Sequence, residues 1–133
     1  MRTYTLLILI FLALGCRKEN TSGQMNKNVV GKWLFVSSRG GFTGKDVILP
    51  GPGTTSYLVL NADLGYQVMQ NGKVQKEGKY ATALQQSYVY GTVRQTIRYD
   101  NESQFQTYTV NSDSLLVSDD QVEGYTTLYL KKN

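Results

Sequence analysis

From Ser56 to the end of the chain, turn-forming residues recur about every ten positions between short runs rich in β-branched and aromatic residues, the spacing of consecutive antiparallel strands. The runs fall at 57–61, 65–70, 73–83, 87–100, 104–110, 115–118 and 125–131. Between them stand Ala62, Asp63 and Leu64, then Asn71 and Gly72, then Asp100, Asn101 and Glu102, then Asn111, Ser112 and Asp113. The Asn71, Gly72 pair is the most specific of these signals, because a two-residue type I′ turn needs positive φ at both central positions. Within 87–100, Val89, Gly91, Val93, Ile97 and Tyr99 alternate with Arg94, Thr96 and Arg98, which predicts one apolar and one polar face. No stretch keeps a helical period beyond two turns.

An earlier run at 29–36 contributes one more strand, with Trp33 and Phe35 on one face and Gly31 where another backbone can approach closely. Eight strands in up-and-down order expose two edges unless the first meets the last. Closure at eight leaves an interior that side chains fill or that holds one small ligand. The expected fold is therefore all-β: an eight-stranded antiparallel up-and-down barrel over 29–133, with a two-sheet sandwich as the alternative of the same periodicity. Residues 39–56 interrupt the pattern. Gly40, Gly41, Phe42, Gly44, Pro50, Gly51, Pro52 and Gly53 make this a long loop, of the kind that is either a functional lid or disordered.

The residues before the barrel follow different rules. Arg2, an apolar run from Leu6 to Leu12, and small Ala13 and Gly15 form a secretory signal, too short to cross about 30 Å of hydrocarbon. The chain thus divides into a signal peptide at 1–15, Cys16 with a polar tether to residue 28, and the domain at 29–133. The tether has an r.m.s. reach of about 20 Å. Removing 15 of 133 residues leaves 118, enough for one domain and one core. Without Arg2 there are 13 basic against 10 acidic residues, scattered without a cluster, so nucleic acid is not expected as a partner.

The chain has no histidine, and its one cysteine is Cys16. Serine–histidine and cysteine–histidine nucleophiles and the usual zinc ligand sets are therefore excluded. Asp119 and Asp120 are adjacent, so on a strand they would point to opposite faces instead of converging on one bond, and they are read as a turn. A calcium site through Asp119, Asp120 and Glu123 lacks the spacing of known loops. The expectation is a protein with no catalytic residues, no metal and no cofactor.

Gly15 directly before Cys16 resembles the bacterial lipobox, with Ala13 in the place usually taken by leucine. That resemblance implies a diacylated cysteine and a membrane partner reached through N-terminal acyl chains, whereas an ordinary secretory signal would leave a free thiol. Arg17, Lys18 and Glu19 resemble the charged signature of surface-exposed lipoproteins of Bacteroidetes-type bacteria, which implies the outer membrane. Gly31, Lys32 and Trp33 resemble the Gly-x-Trp opening of lipocalins. With Gly40 to Gly44, Leu58, Leu60, Asp63, Gly65, Gly78, Tyr80, Tyr108, Val110 and Tyr129, the run from 29 to 132 resembles the small lipocalin-like lipoproteins of Bacteroidetes. The resemblance implies a lipocalin-like calyx for an apolar ligand and a cation–π contact between Trp33 and Lys131 closing the barrel beside Gly31. The helix usual before the last lipocalin strand has no room between Ser118 and Glu123.

Tyrosine offers an apolar face and a hydroxyl, so Tyr66, Tyr80, Tyr90 and Tyr108 are candidates to line a cavity, with Phe42 as a lid residue. The structural alternative is sheet packing, which uses tyrosine freely. Asp113, Ser114 and Leu115 resemble a three-residue O-glycosylation site, at a turn where Asp and Ser are expected anyway. Two functions follow: a lipid-anchored barrel binding a small apolar or amphipathic ligand, or a lipoprotein that binds or inhibits a protein through the 39–56 loop.

Overall fold

The computed structural model describes residues 27–133; the expected signal peptide, Cys16 and most of the tether lie outside them. Nine strands are present among the described residues: β1 (Gly31–Gly40), β2 (Asp46–Ile48), β3 (Ser56–Leu60), β4 (Gly65–Gln70), β5 (Lys73–Gln86), β6 (Val93–Tyr99), β7 (Gln106–Asn111), β8 (Ser114–Asp119) and β9 (Tyr125–Lys132). Each pairs antiparallel with its neighbour in the order β2, β1, β3 to β9, and β1 also pairs with β9. That last pairing closes β1 and β3 to β9 into an eight-stranded up-and-down barrel. β2 lies outside the ring, laid along residues 38–40 of β1.

Alternation decides what enters the barrel. Trp33 stands opposite Leu58 on one side and Lys131 on the other, Phe35 opposite Tyr129, and Leu60 opposite Tyr66. Trp33, Leu58, Leu60 and Tyr66, with Tyr80, Ile97, Tyr108, Leu115 and Val117, form one buried cluster, and half-buried Tyr129 packs against it. A short 3-10 turn, Lys27–Val29, tucks Val29 beneath it, and the Trp33 indole N–H donates to the Val29 carbonyl at 2.7 Å. Trp33 is fully buried, and Lys131 Nζ stands 5.5 Å from its ring centroid, so one end of the barrel is plugged. Between Phe35 and Ser37 a bulge shifts the register of β1. Beyond it Ser38 shares a hydrogen bond of 2.9 Å with Thr127.

The hairpin at 71–72 forms as the sequence requires, with φ of 49° at Asn71 and 78° at Gly72. Other boundaries differ. The first strand runs on to Gly40, and the 39–56 loop contains β2, whose outer edge pairs with no strand among the described residues. The expected strand at 87–100 begins only at Val93; Ser87 to Thr92 is a loop, and β5 instead extends to Gln86. Val89 and Gly91 therefore belong to no strand face. Their alternation was overridden because the backbone N–H of Val89 bonds to a carboxylate on another turn and Gly91 takes a φ of 65°.

Candidate ligand-binding crevice

Pairing in the barrel wall is uneven. β5 and β6 are in register from Tyr80 opposite Tyr99 to Gln86 opposite Val93, whereas β6 and β7 meet only where Thr96 faces Thr107 and Ile97 faces Gln106. Above these pairs the two strands diverge, joined by the loop 100–105. The opening is a crevice of about 870 Å³. Its walls are the end of β5 and the loop after it (Gln86, Ser87, Tyr88), the 102–105 loop, and the β8–β9 turn (Asp119 to Gln121). Its floor includes inward-facing Ile97, Tyr99 and Gln106.

Two adjacent carboxylates hold these walls in place. Asp120 accepts hydrogen bonds from the Ser87 hydroxyl, the Tyr88 N–H at 2.8 Å and the Val89 N–H at 3.2 Å. Burial works against its charge, but the three donors outweigh burial and hold its pKa below the ordinary value. Asp119 accepts from Gln106 Nε2 at 2.7 Å and from the Tyr125 N–H at 2.9 Å, tying β7, β8 and the start of β9 together. Asp120 thus stands in the turn that the sequence suggests, whereas Asp119 ends β8, because it is paired there with Gln106; together they clamp segments distant in sequence.

Behind the floor lies a second cavity of about 150 Å³ inside the barrel, lined by Tyr66, Tyr99, Tyr129, Lys76 and their neighbours. Tyr99 and Gln106 line both spaces. Tyr66 packs edge-on against Tyr99 at 4.8 Å and donates its hydroxyl to Asp100. That bond, then the Lys79 N–H, lowers the Asp100 pKa. Lys76 reaches Asp100 and Glu102 at 3.8 and 3.7 Å, an exposed network contributing little by itself. Burial raises the pKa of Tyr99 far above its ordinary 10.0, helped by the hydroxyls of Tyr129, Tyr66 and Tyr80. Burial alone raises Tyr129.

The residues singled out by sequence scatter over this frame. Tyr66 lines the inner cavity. Tyr80 and Tyr108 are buried core, Tyr80 donating to the Asn61 carbonyl at 2.9 Å. Tyr90 is on the surface beside Arg94, at 4.6 Å from its guanidinium. Phe42 is 82% exposed on the turn between β1 and β2 and lines neither space. Gly31 and Lys131 sit together beside Trp33 at the plugged end, the Lys131 Cε 3.4 Å from where a Gly31 Cβ would be. The crevice residues missed by sequence, among them Gln86, Ser103, Phe105 and Asp120, come from three separated segments, and no local spacing links them. Among the described residues no group of His, Cys, Asp and Glu could hold a metal ion, and no helix is long and apolar enough to cross a membrane. Set against family models, curated proteins and solved structures, the chain finds no match.

Proposed function

We propose that this protein is a lipid-anchored envelope lipoprotein, held in the bacterial outer membrane through acyl chains on Cys16, whose lipocalin-like barrel binds a small amphipathic molecule. It acts by binding and not by catalysis. The observation that carries the reading is the crevice of about 870 Å³ between the β5–β6 loop, the 100–105 loop and the β8–β9 turn, within the range of small-molecule sites. The inner cavity of about 150 Å³ is too small for such a ligand, so the ligand body lies at the mouth with only a tip reaching Tyr99 and Gln106. This differs from a lipocalin calyx, where the cargo sits inside the barrel.

Native mass spectrometry of the acylated chain, purified from its own membrane, tests this. A co-purifying small mass is expected, and its loss in a Ser103→Trp variant would assign it to the crevice. A bare protein mass, or an adduct indifferent to that substitution, would overturn the reading. Incorporation of labelled palmitate that fails in Cys16→Ala tests the anchor separately.

A second reading has its own support. Phe42, Val47, Ile48 and Leu49 are all at least half exposed on the projecting β1–β2 hairpin, and β2 presents a free edge. An apolar strand edge of this kind suits a protein partner.

A further inference from the structure

The crevice wall is distinguished by what it lacks and by the polar groups it leaves open to solvent. Among the described residues no lysine or arginine lines it, so a fatty acid or phosphate would bring a charge that no lining cation balances. The three carboxylates of the lining are already engaged within the protein, Asp119 by Gln106 and Tyr125, Asp120 by Ser87, Tyr88 and Val89, and Glu102 by Lys76 at 3.7 Å. A ligand ammonium would have to compete with bonds already made.

The groups left open are of another kind. The side-chain amides of Gln86, Gln104 and Gln121 and the Ser103 hydroxyl stand in exposed positions on the crevice lining, where a ligand can take the place of water. Each amide both gives and accepts hydrogen bonds, as each hydroxyl does. Beside them stand two aromatic faces, Tyr88, which is 78% exposed, and Phe105. Neutral groups that donate and accept, set next to the exposed Tyr88 ring and the half-buried Phe105, match a polyhydroxylated ring: its hydroxyls pair with amides in both directions, and its C–H face lies against an aromatic ring.

We infer that the crevice takes a neutral glycosyl unit, presented by a free oligosaccharide or by the headgroup of a glycolipid. This rests on the crevice being a ligand site and names what that site recognises.

The test is a labelled full-length chain on an array of neutral and acidic glycans. It is followed by solution titration of the best neutral glycan, free and as its alkyl glycoside, beside decanoate and decyltrimethylammonium. Neutral glycans are expected to bind. Tyr88→Ala and Gln104→Ala, both at exposed positions, should each weaken them about tenfold, the loss of one contact, with melting temperature unchanged. Equal affinity for free glycan and glycoside assigns the soluble source; tighter binding of the glycoside assigns a glycolipid. If decanoate or decyltrimethylammonium binds at the crevice and no neutral glycan does, the inference falls while the ligand site stands. If nothing binds, both fall, and a glycan indifferent to both substitutions also overturns the assignment.

Discussion

Asp120→Ala should release the loop that forms one wall of the crevice. The carboxylate accepts from the Ser87 hydroxyl and from the N–H groups of Tyr88 and Val89, and Ser87 is 1% exposed. Bonds to a charged acceptor contribute about 1.5–3 kcal/mol each when shielded, and a buried hydroxyl left unpaired keeps its full desolvation penalty. Tyr88 and Val89 are exposed, so their amides recover water when the carboxylate is removed, and most of the loss comes from Ser87. The expected destabilisation is about 2 kcal/mol, which for a domain of about a hundred residues lowers Tm by about 8 °C. Locally, amide exchange at Tyr88 and Val89 should quicken about thirtyfold, the same free energy expressed as a ratio.

The pH dependence follows from the sign of the shift. The Asp120 pKa is held below its ordinary 3.8, so its contribution is complete above that value and disappears as pH falls through the lower folded-state value. Asp120→Asn keeps one acceptor oxygen and should lose less at neutral pH while flattening the acid limb of the stability curve. Differential scanning calorimetry and amide exchange on the full chain provide the check. A Tm within about 2 °C of wild type together with unchanged exchange at residues 88 and 89 would refute the argument.

Gly78→Ala should destabilise the barrel by about 2 kcal/mol or more, because the added methyl would overlap the Asp100 carboxylate and lie 2.9 Å from Tyr66 Cε1, separating a hydrogen-bonded pair; chemical denaturation measures it. Thr82→Val should be neutral or stabilising by about 1 kcal/mol, because the Thr82 hydroxyl is buried with no hydrogen-bond partner among the described residues; a clear loss of stability would show that the hydroxyl is satisfied. Tyr66, Tyr80, Tyr99 and Tyr129 all have raised pKa values, so the stability they contribute is complete below pH 10.0 and is lost above it, where the unfolded chain releases protons that the folded barrel retains. Ultraviolet titration should then show late tyrosinates appearing together with the loss of near-ultraviolet circular dichroism. Ionisation of every tyrosine near pH 10 in an intact fold would contradict the burial argument.

The strands and their order were readable because each rests on local information. Alternation sets the inward face, and Asn71 with Gly72 sets a turn by φ alone. Tyr66, Tyr80 and Tyr108 point inward for the same reason: each lies inside a strand whose alternation matches the sequence pattern. Tyr90 was misplaced because Ser87 to Thr92 alternates like a strand, yet its hydrogen bonds go to Asp120, about thirty residues away in sequence. β2 escaped notice because prolines and glycines surround it and its three residues are a strand only by virtue of the β1 edge beside them.

The crevice was unreadable for a deeper reason. It exists where the β6–β7 ladder stops, and the length of a ladder depends on how the whole ring staggers. Backbone groups beside this seam still need partners, and in this barrel aspartates accept from several of them. Asp100 accepts from the Lys79 N–H, Asp119 from Tyr125, and Asp120 from Tyr88 and Val89. Each reads in sequence as an ordinary turn residue; Asp100 and Asp120 do stand in turns, and Asp119 ends β8 at the edge of one. Their carboxylates also connect that turn to another segment, so the gap between β6 and β7 keeps fixed walls without being zipped shut. None of these N–H groups belongs to β6 or β7, so fuller pairing at this seam would not replace the carboxylates: they fix the segments that flank the gap, and the gap itself is set by where the β6–β7 ladder ends.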